Sequence, residues 1–226
     1  MSKIAAIFDF DGTLSRGHSW EGFRRYYANY EKRRILSIFA FLTTHIALWL
    51  LVKCKLYNKE KCWLKWTEDL DGVFKGLSKE EVQKMSQWVV DEYTLKLSRR
   101  DVVGILSQHK QKGHIVVIVS AVFSEFLEIL GQRLGVPDVI GTKLELIDGK
   151  YTGKVVKPLC FAENKAKLLK EFINQNGLEI DLPSSFAYAD SIFDVSLLML
   201  VGNPVATYPA KDLRQLAEHN GWQILP

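Results

Sequence analysis

An α/β fold, three layers built around a mostly parallel sheet with an all-helical segment inserted near its start, is predicted by three features of this 226-residue sequence. A short apolar run at the N-terminus ends abruptly on carboxylates. From about residue 99 onward, short β-branched runs alternate with segments of helical length, and repeated βα units of this size make parallel sheets with helices on both faces. Residues 16–98, between these two parts, read as helix throughout. The expected division is a Rossmann-like core of residues 1–15 and 99–226 with a helical insert of residues 16–98.

The first element is KIAAIF, residues 3–8, a buried strand that stops at Asp9 and the Asp-Gly turn signal of Asp11-Gly12. Four helical segments follow: WEGFRRYYANYEKRR, ILSIFAFLTTHIALWLLV, KEKCWLKWTEDLDGVF and SKEEVQKMSQWVVDEYTLKL. Ser78 followed by Glu81 is a capping-box signature that opens the last of them. DVVGILSQHKQKG is a helix leading through Gly113 into HIVVIVS, a continuous apolar run typical of a strand covered on both faces. SEFLEILGQRLG is a helix closed by Gly135, VPDVIGT a short strand, and KLELIDGKYTGKV two strands around an Asp148-Gly149 hairpin turn. The remainder alternates regularly. Helices AENKAKLLKEFINQNG, SIFDVSLLMLVG and AKDLRQLAEHN are interleaved with strands SSFAYAD, PVATYP and WQILP.

With 47% hydrophobic and 25% charged residues, the composition is that of a globular chain with a real core. Cys54, Cys62 and Cys160 show no CxxC spacing, which argues against a disulfide framework or a thiolate zinc site and favours a reducing compartment. The segment MSKIAAIFDF lacks the features of a signal peptide, so a cytoplasmic location is expected. The net charge of +4 is uneven, because residues 16–99 hold 16 Lys and Arg against 10 Asp and Glu. That balance is too mild for nucleic-acid binding. It favours an anionic ligand or an anionic membrane surface.

Ligands of open parallel sheets bind beyond the carboxyl ends of the strands. Asp9 and Asp11 follow the first strand, Ser120 ends HIVVIVS, Lys165 begins a helix, and Asp190 with Asp194 follows FAYA. Each alone is an ordinary cap or turn residue; together they describe a crevice. Carboxylates converging there repel and raise one another's pKa unless a divalent cation compensates them, and oxygen ligands suit Mg²⁺. Mg²⁺ commonly completes its coordination with substrate phosphate, while a lysine supplies a point charge for the remaining oxygens. The expectation is phosphoryl chemistry on a small phosphorylated substrate.

DFDGTL with Asp9 and Asp11, the strand-terminal Ser120, Lys165 and the ADSIFD pair Asp190/Asp194 resemble, in order, the four motifs of the haloacid dehalogenase (HAD) superfamily. The helical insert looks like that superfamily's C1-type cap, and residues 142–169 resemble the phosphoserine-phosphatase-like subfamily. The resemblance implies that Asp9 is a nucleophile forming an aspartyl-phosphate, and that Asp11 is the general acid and then the base. It implies Mg²⁺ held by Asp9, the backbone carbonyl of Asp11 and Asp190, with Asp194 holding metal-bound water or Lys165. Ser120 and Lys165, with backbone N–H groups near Gly12 and Ala121, would hold the phosphoryl oxygens. An acid at the position of Asp11 is a phosphatase mark.

The insert departs from phosphoserine phosphatases. Arg16-Gly17-His18-Ser19-Trp20 follows the first motif, Glu21 stands a few positions off, and Ser120-Ala121-Val122 replaces Ser-Gly-Gly. Residues 35–52 carry no charged side chain and are flanked by EKRR and KCK. Eighteen residues fall just short of the ~20 that span a bilayer. Three readings stand: cap core or dimer contact, peripheral insertion into a membrane surface with the basic flanks on anionic headgroups, and a true span. His45 in this segment is expected to be a buried, satisfied histidine. The alternatives to a phosphatase of a small phosphomonoester are a membrane-surface-docked phosphatase or binding protein acting on a lipid-derived phosphate, a phosphoserine phosphatase, and transfer to an acceptor other than water.

Overall fold

The computed structural model describes residues 2–226, apart from the side chains of Arg33 and Asp71. Seven strands form one sheet in the order β4-β3-β2-β1-β5-β6-β7. They are β1 (Ala5–Phe8), β2 (Ile115–Phe123), β3 (Asp138–Ile147), β4 (Lys150–Val156), β5 (Phe186–Ala189), β6 (Asn203–Thr207) and β7 (Gln223–Leu225). All neighbours pair parallel except β3 and β4, the hairpin at one edge. The α/β class predicted from the alternating runs is therefore the observed one.

Side-chain alternation along the central strands divides the core in two. Ala6 and Phe8 of β1 and Val116 and Ile118 of β2 point into one apolar cluster, while Ala5, Ile7, Val117 and Val119 point into the other. The second cluster is completed by α7 (Glu163–Gln175), α8 (Val195–Leu198) and α9 (Lys211–Asn220) through Leu169, Leu197, Leu198, Leu213 and Ala217. The first is covered by α5 (Arg100–Gln111) and α6 (Ser124–Leu134), and it runs on without a break into the insert through Phe23, Tyr27, Phe74 and Met85.

The insert contains α1 (Ser19–Tyr30), α2 (Ile35–Lys53), α3 (Lys59–Leu70) and α4 (Lys79–Trp88). Its two connections to the sheet lie side by side: Arg16 N–H donates to Leu97 O, and Arg99 N–H donates to Leu14 O, each at 2.9 Å. The Ser78–Glu81 capping box forms at α4. Past α4 the helix widens to a π-turn over Val89–Thr94 and then tightens to 3₁₀ over Leu95–Leu97. Asp91, in the π-turn, is gripped by two nitrogens of Arg133 from α6.

Three elements differ from the sequence reading. VPDVIGT and KLELI are one ten-residue strand, β3, rather than two. Gly141 explains the continuity, since a Cβ there would lie 2.6 Å from the carbonyl oxygen of Val122; the glycine lets β3 pass close beside the end of β2 instead of ending. β2 likewise runs on past Ser120 to Phe123. The expected helix SIFDVSLLMLVG is only a 3₁₀ turn, Ile192–Asp194, and the single turn α8. Gly202 packs its backbone directly on Pro183, a contact that no side chain would allow, and so draws the chain into β6.

Candidate active site

β1 lies between β2 and β5, so the crevice at its carboxyl end opens where chain connections leave in opposite directions. Asp9 continues the strand by one residue, its N–H donating to Tyr188 O at 2.9 Å, and its side chain is buried. The chain then turns tightly, with the N–H groups of Thr13, Leu14 and Ser15 converging on Phe10 O. Gly12, at φ +90°, is required here: a Cβ would sit 2.2 Å from Asp190 Oδ2.

Lys165, buried in the first turn of α7, places Nζ 2.6 Å from Asp9 Oδ1 and 2.5 Å from Asp194 Oδ1. Thr13 Oγ1 donates to Asp190 Oδ1 at 3.3 Å. One oxygen from each of Asp9, Asp190 and Asp194 lies within 4.8 Å of the others. Three carboxylates face a single ammonium. Burial, then the charges of Asp9 and Asp194, push Asp190 up to about 8. Burial, partly offset by Lys165, pushes Asp194 up to about 6. Burial opposes the ammonium of Lys165, but Asp194 and Asp9 outweigh it and raise its pKa. The cluster is short of positive charge and made of oxygen donors, so it fits a hard divalent cation such as Mg²⁺.

The side chain of Asp11 belongs to a different arrangement. Its Oδ1 accepts the backbone N–H of Ser19 at 2.9 Å and its Oδ2 the Ser19 hydroxyl at 2.8 Å, which sets an anion at the N-terminus of α1. Burial pushes Asp11 up to about 6 against the opposing influence of His18 and Ser19. Ser120 is buried at the rim, its Oγ accepting Val122 N–H at 3.3 Å, and the carbonyl of Ala121 accepts the Thr142 hydroxyl.

Asp9, Asp11, Ser19, Ser120, Lys165, Asp190 and Asp194 line a cavity of about 520 Å³ whose other wall is aromatic: Trp20, Trp63 and Trp66 from the insert, Phe161 and Phe193 from the core. Lys59 of α3 and Asp212 of α9 close one side with a 2.7 Å ion pair. Sequence reasoning missed Ser19, Thr13 and the Arg99 guanidinium, whose Nε donates to Gly12 O at 3.1 Å. For Ser19 a signal existed, because an acid before a helix start draws the helix's free N–H groups. Nothing local marks Arg99, which is brought in only by the pairing of the insert's connections.

A buried carboxylate cluster at the carboxyl end of a parallel sheet, beneath a helical insert, is the arrangement of an α/β enzyme whose site suits a hard cation and an anionic ligand. The chain belongs to the haloacid dehalogenase-like hydrolase family, whose model matches residues 6–199. It is 30% identical to phosphoserine phosphatase SerB1 of Mycobacterium tuberculosis, over 97% of this chain and 70% of that one. It is 25% identical to a histidinol-phosphatase of Neisseria meningitidis, over 99% and 98% of the two chains. A crystal structure of a Bordetella pertussis protein of unknown function superposes with a TM-score of 0.81 at 24% identity, covering 100% of this chain and 99% of that one.

Proposed function

We propose that the protein is a phosphatase that hydrolyses a phosphomonoester in two displacements through a phosphoryl group on Asp9. The observation that supports this most is the placement of Asp9 itself: buried, oriented by Lys165, and grouped with Asp190 and Asp194 at the floor of the cavity. Residues 1–15 and 99–226 supply this floor, and residues 16–98 act as the cap.

An oxygen of Asp9 attacks phosphorus as the bond to the leaving oxygen breaks. Asp11, held by Ser19, gives that oxygen its proton. Water then attacks the phosphoryl-aspartate, Asp11 takes the water's proton, and inorganic phosphate leaves with Asp9 restored. Ser120, Lys165 and the amides near Gly12 and Ala121 hold the transferring oxygens. Asp9, Asp190 and the Asp11 carbonyl, with Asp194 in support, would hold Mg²⁺, which would supply neutralisation of the phosphoryl charge.

The leaving group faces the aromatic wall. Apart from Lys165, the lysine on the lining is Lys59, which is paired with Asp212, and the remaining basic group is His18. A free amino acid such as phosphoserine brings a carboxylate that this wall does not match, whereas a leaving group with apolar surface fits it. Phosphate release from amino-acid, sugar, aromatic and acyl-chain monoesters tests this reading. Preference for the apolar esters supports it, and preference for phosphoserine contradicts it.

A further inference from the structure

α2 is 19 residues long with a mean hydropathy of 2.2, yet only 17% of its apolar window is buried. One narrow face, Ile38, Phe41 and His45, packs on the protein. Phe41 and His45 stack edge-on against Trp66 of α3, and His45 Nε2 lies 3.4 Å from Asp69. The opposite face carries Leu36, Phe39, Ile46 and Leu50, exposed at 72, 59, 54 and 52%. Such a face is costly in water and requires a cover.

Charge selects the cover. Residues 31–71 hold eight Lys and Arg against five Asp and Glu, an excess of +3 in a chain whose total is +4, and Lys53, Lys55 and Lys61 are exposed. Lys53 lies over the Trp49 ring at 3.9 Å, at the end of α2, with exposed Lys55 just beyond. A second copy seated on α2 would bring two such excesses together, which like-charge repulsion opposes. An anionic lipid surface is attracted by the same charges and accepts the apolar side chains. A transmembrane pose is excluded by the packing, because α3 lies along α2 and carries Glu60, Lys61, Lys65 and Asp69. Removal of α2 as a leader would also remove β1, the middle strand of the sheet.

We propose that α2 docks in the plane of an anionic bilayer surface, with Leu36, Phe39, Ile46 and Leu50 among the acyl chains and Lys53 and Lys55 at the headgroups. This holds the cap, and the Trp63 and Trp66 wall of α3, beside the membrane. The proposal concerns binding and stands apart from the phosphatase reading, so each can fail alone.

Flotation of the full chain with phosphatidylcholine vesicles, with and without phosphatidylglycerol, tests it. Binding is expected with the anionic vesicles and is weaker with neutral ones. Ile46→Asp/Leu50→Asp lowers it by roughly a hundredfold, and Lys53→Gln and Lys55→Gln lower it by about fivefold each. The double Asp variant, whose sites lie outside the cavity, keeps its circular dichroism spectrum and its turnover of a soluble ester. A second measurement needs no apolar substitution: an environment-sensitive fluorophore on Cys54, the exposed cysteine, brightens on adding anionic vesicles. No flotation, flotation unchanged in the double variant, or an unresponsive label overturns the proposal. So does a dimer in light scattering that the double variant dissolves while vesicles bind neither form.

Discussion

Both carboxylate oxygens of Asp11 accept hydrogen bonds from Ser19, one from its backbone N–H and one from its hydroxyl. A group at the mouth of the sheet is thus aimed by the first residue of the first insert helix. Both hydrogen bonds also hold the carboxylate's pKa below what burial alone would set. The insert therefore does more than cover the site.

Ser19→Ala removes the hydroxyl bond and leaves the N–H bond. kcat is expected to fall about 10- to 100-fold with KM little changed, since in the proposed mechanism the residue orients the proton donor and does not hold the phosphate. Ser19→Thr, which retains a hydroxyl, recovers part of the loss. Steady-state kinetics of the three proteins check this, and an effect confined to KM contradicts it.

Asp190→Asn replaces the carboxyl that burial and its neighbours push up to about 8. Its folded-state pKa exceeds the ordinary 3.8, so folding at neutral pH requires uptake of a proton, and the stability tied to the protonated form, full below 3.8, is lost as pH rises through about 8. Without metal, the variant is expected to be more stable than the wild type by about 1–3 kcal/mol at pH 7. Added Mg²⁺ raises the wild-type Tm, and chelation reverses the rise; the variant responds weakly and turns over little. Thermal melts with and without Mg²⁺ measure all of this.

A second titration lies outside the cavity lining. His109 is buried at the end of α5, its Nε2 2.8 Å from the Tyr188 hydroxyl and its Nδ1 2.8 Å from Nδ1 of His114. Burial, then His114 and Lys112, lower its pKa from 6.5 to about 4. The folded chain binds fewer protons than the unfolded one between those values, so stability is full above 6.5 and falls as pH drops toward 4. The loss attributable to His109 is about 2–3 kcal/mol. Urea unfolding of wild type and His109→Gln between pH 7 and 5 checks it, the variant showing the shallower slope.

The glycine between α1 and the π-turn is a packing requirement. A Cβ on Gly22 would stand 2.4 Å from Val89 Cγ1 and 2.9 Å from the Tyr93 ring. Gly22→Ala is expected to destabilise the chain by about 1–3 kcal/mol by overpacking. Denaturant melts provide the comparison.

The parts legible from sequence were those in which chemistry and pattern coincide. Asp9 and Asp11, and Asp190 with Asp194, follow an apolar strand run, Ser120 closes the run HIVVIVS and Lys165 opens α7, so parallel pairing and the start of α7 carry them to one rim. His45 is buried as expected, with Nδ1 2.8 Å from Phe41 O, but its Nε2 makes no hydrogen bond and has Asp69 at 3.4 Å. What stayed hidden depends on close approach between distant segments. Gly141 reads as a strand end until Val122 is seen above it, and Gly202 reads as a helix tail until Pro183 is placed. Arg99 lacks any local mark because its target, the Gly12 carbonyl, is 87 residues away.

The role of Asp9 is tested most directly by trapping the phosphoryl group. After acid quenching during turnover with Mg²⁺, the wild-type peptide containing Asp9 should carry a phosphoryl group, while Asp9→Asn, folded by circular dichroism, should carry none and release no phosphate. Phosphate release by Asp9→Asn at a rate near that of the wild type would contradict the account.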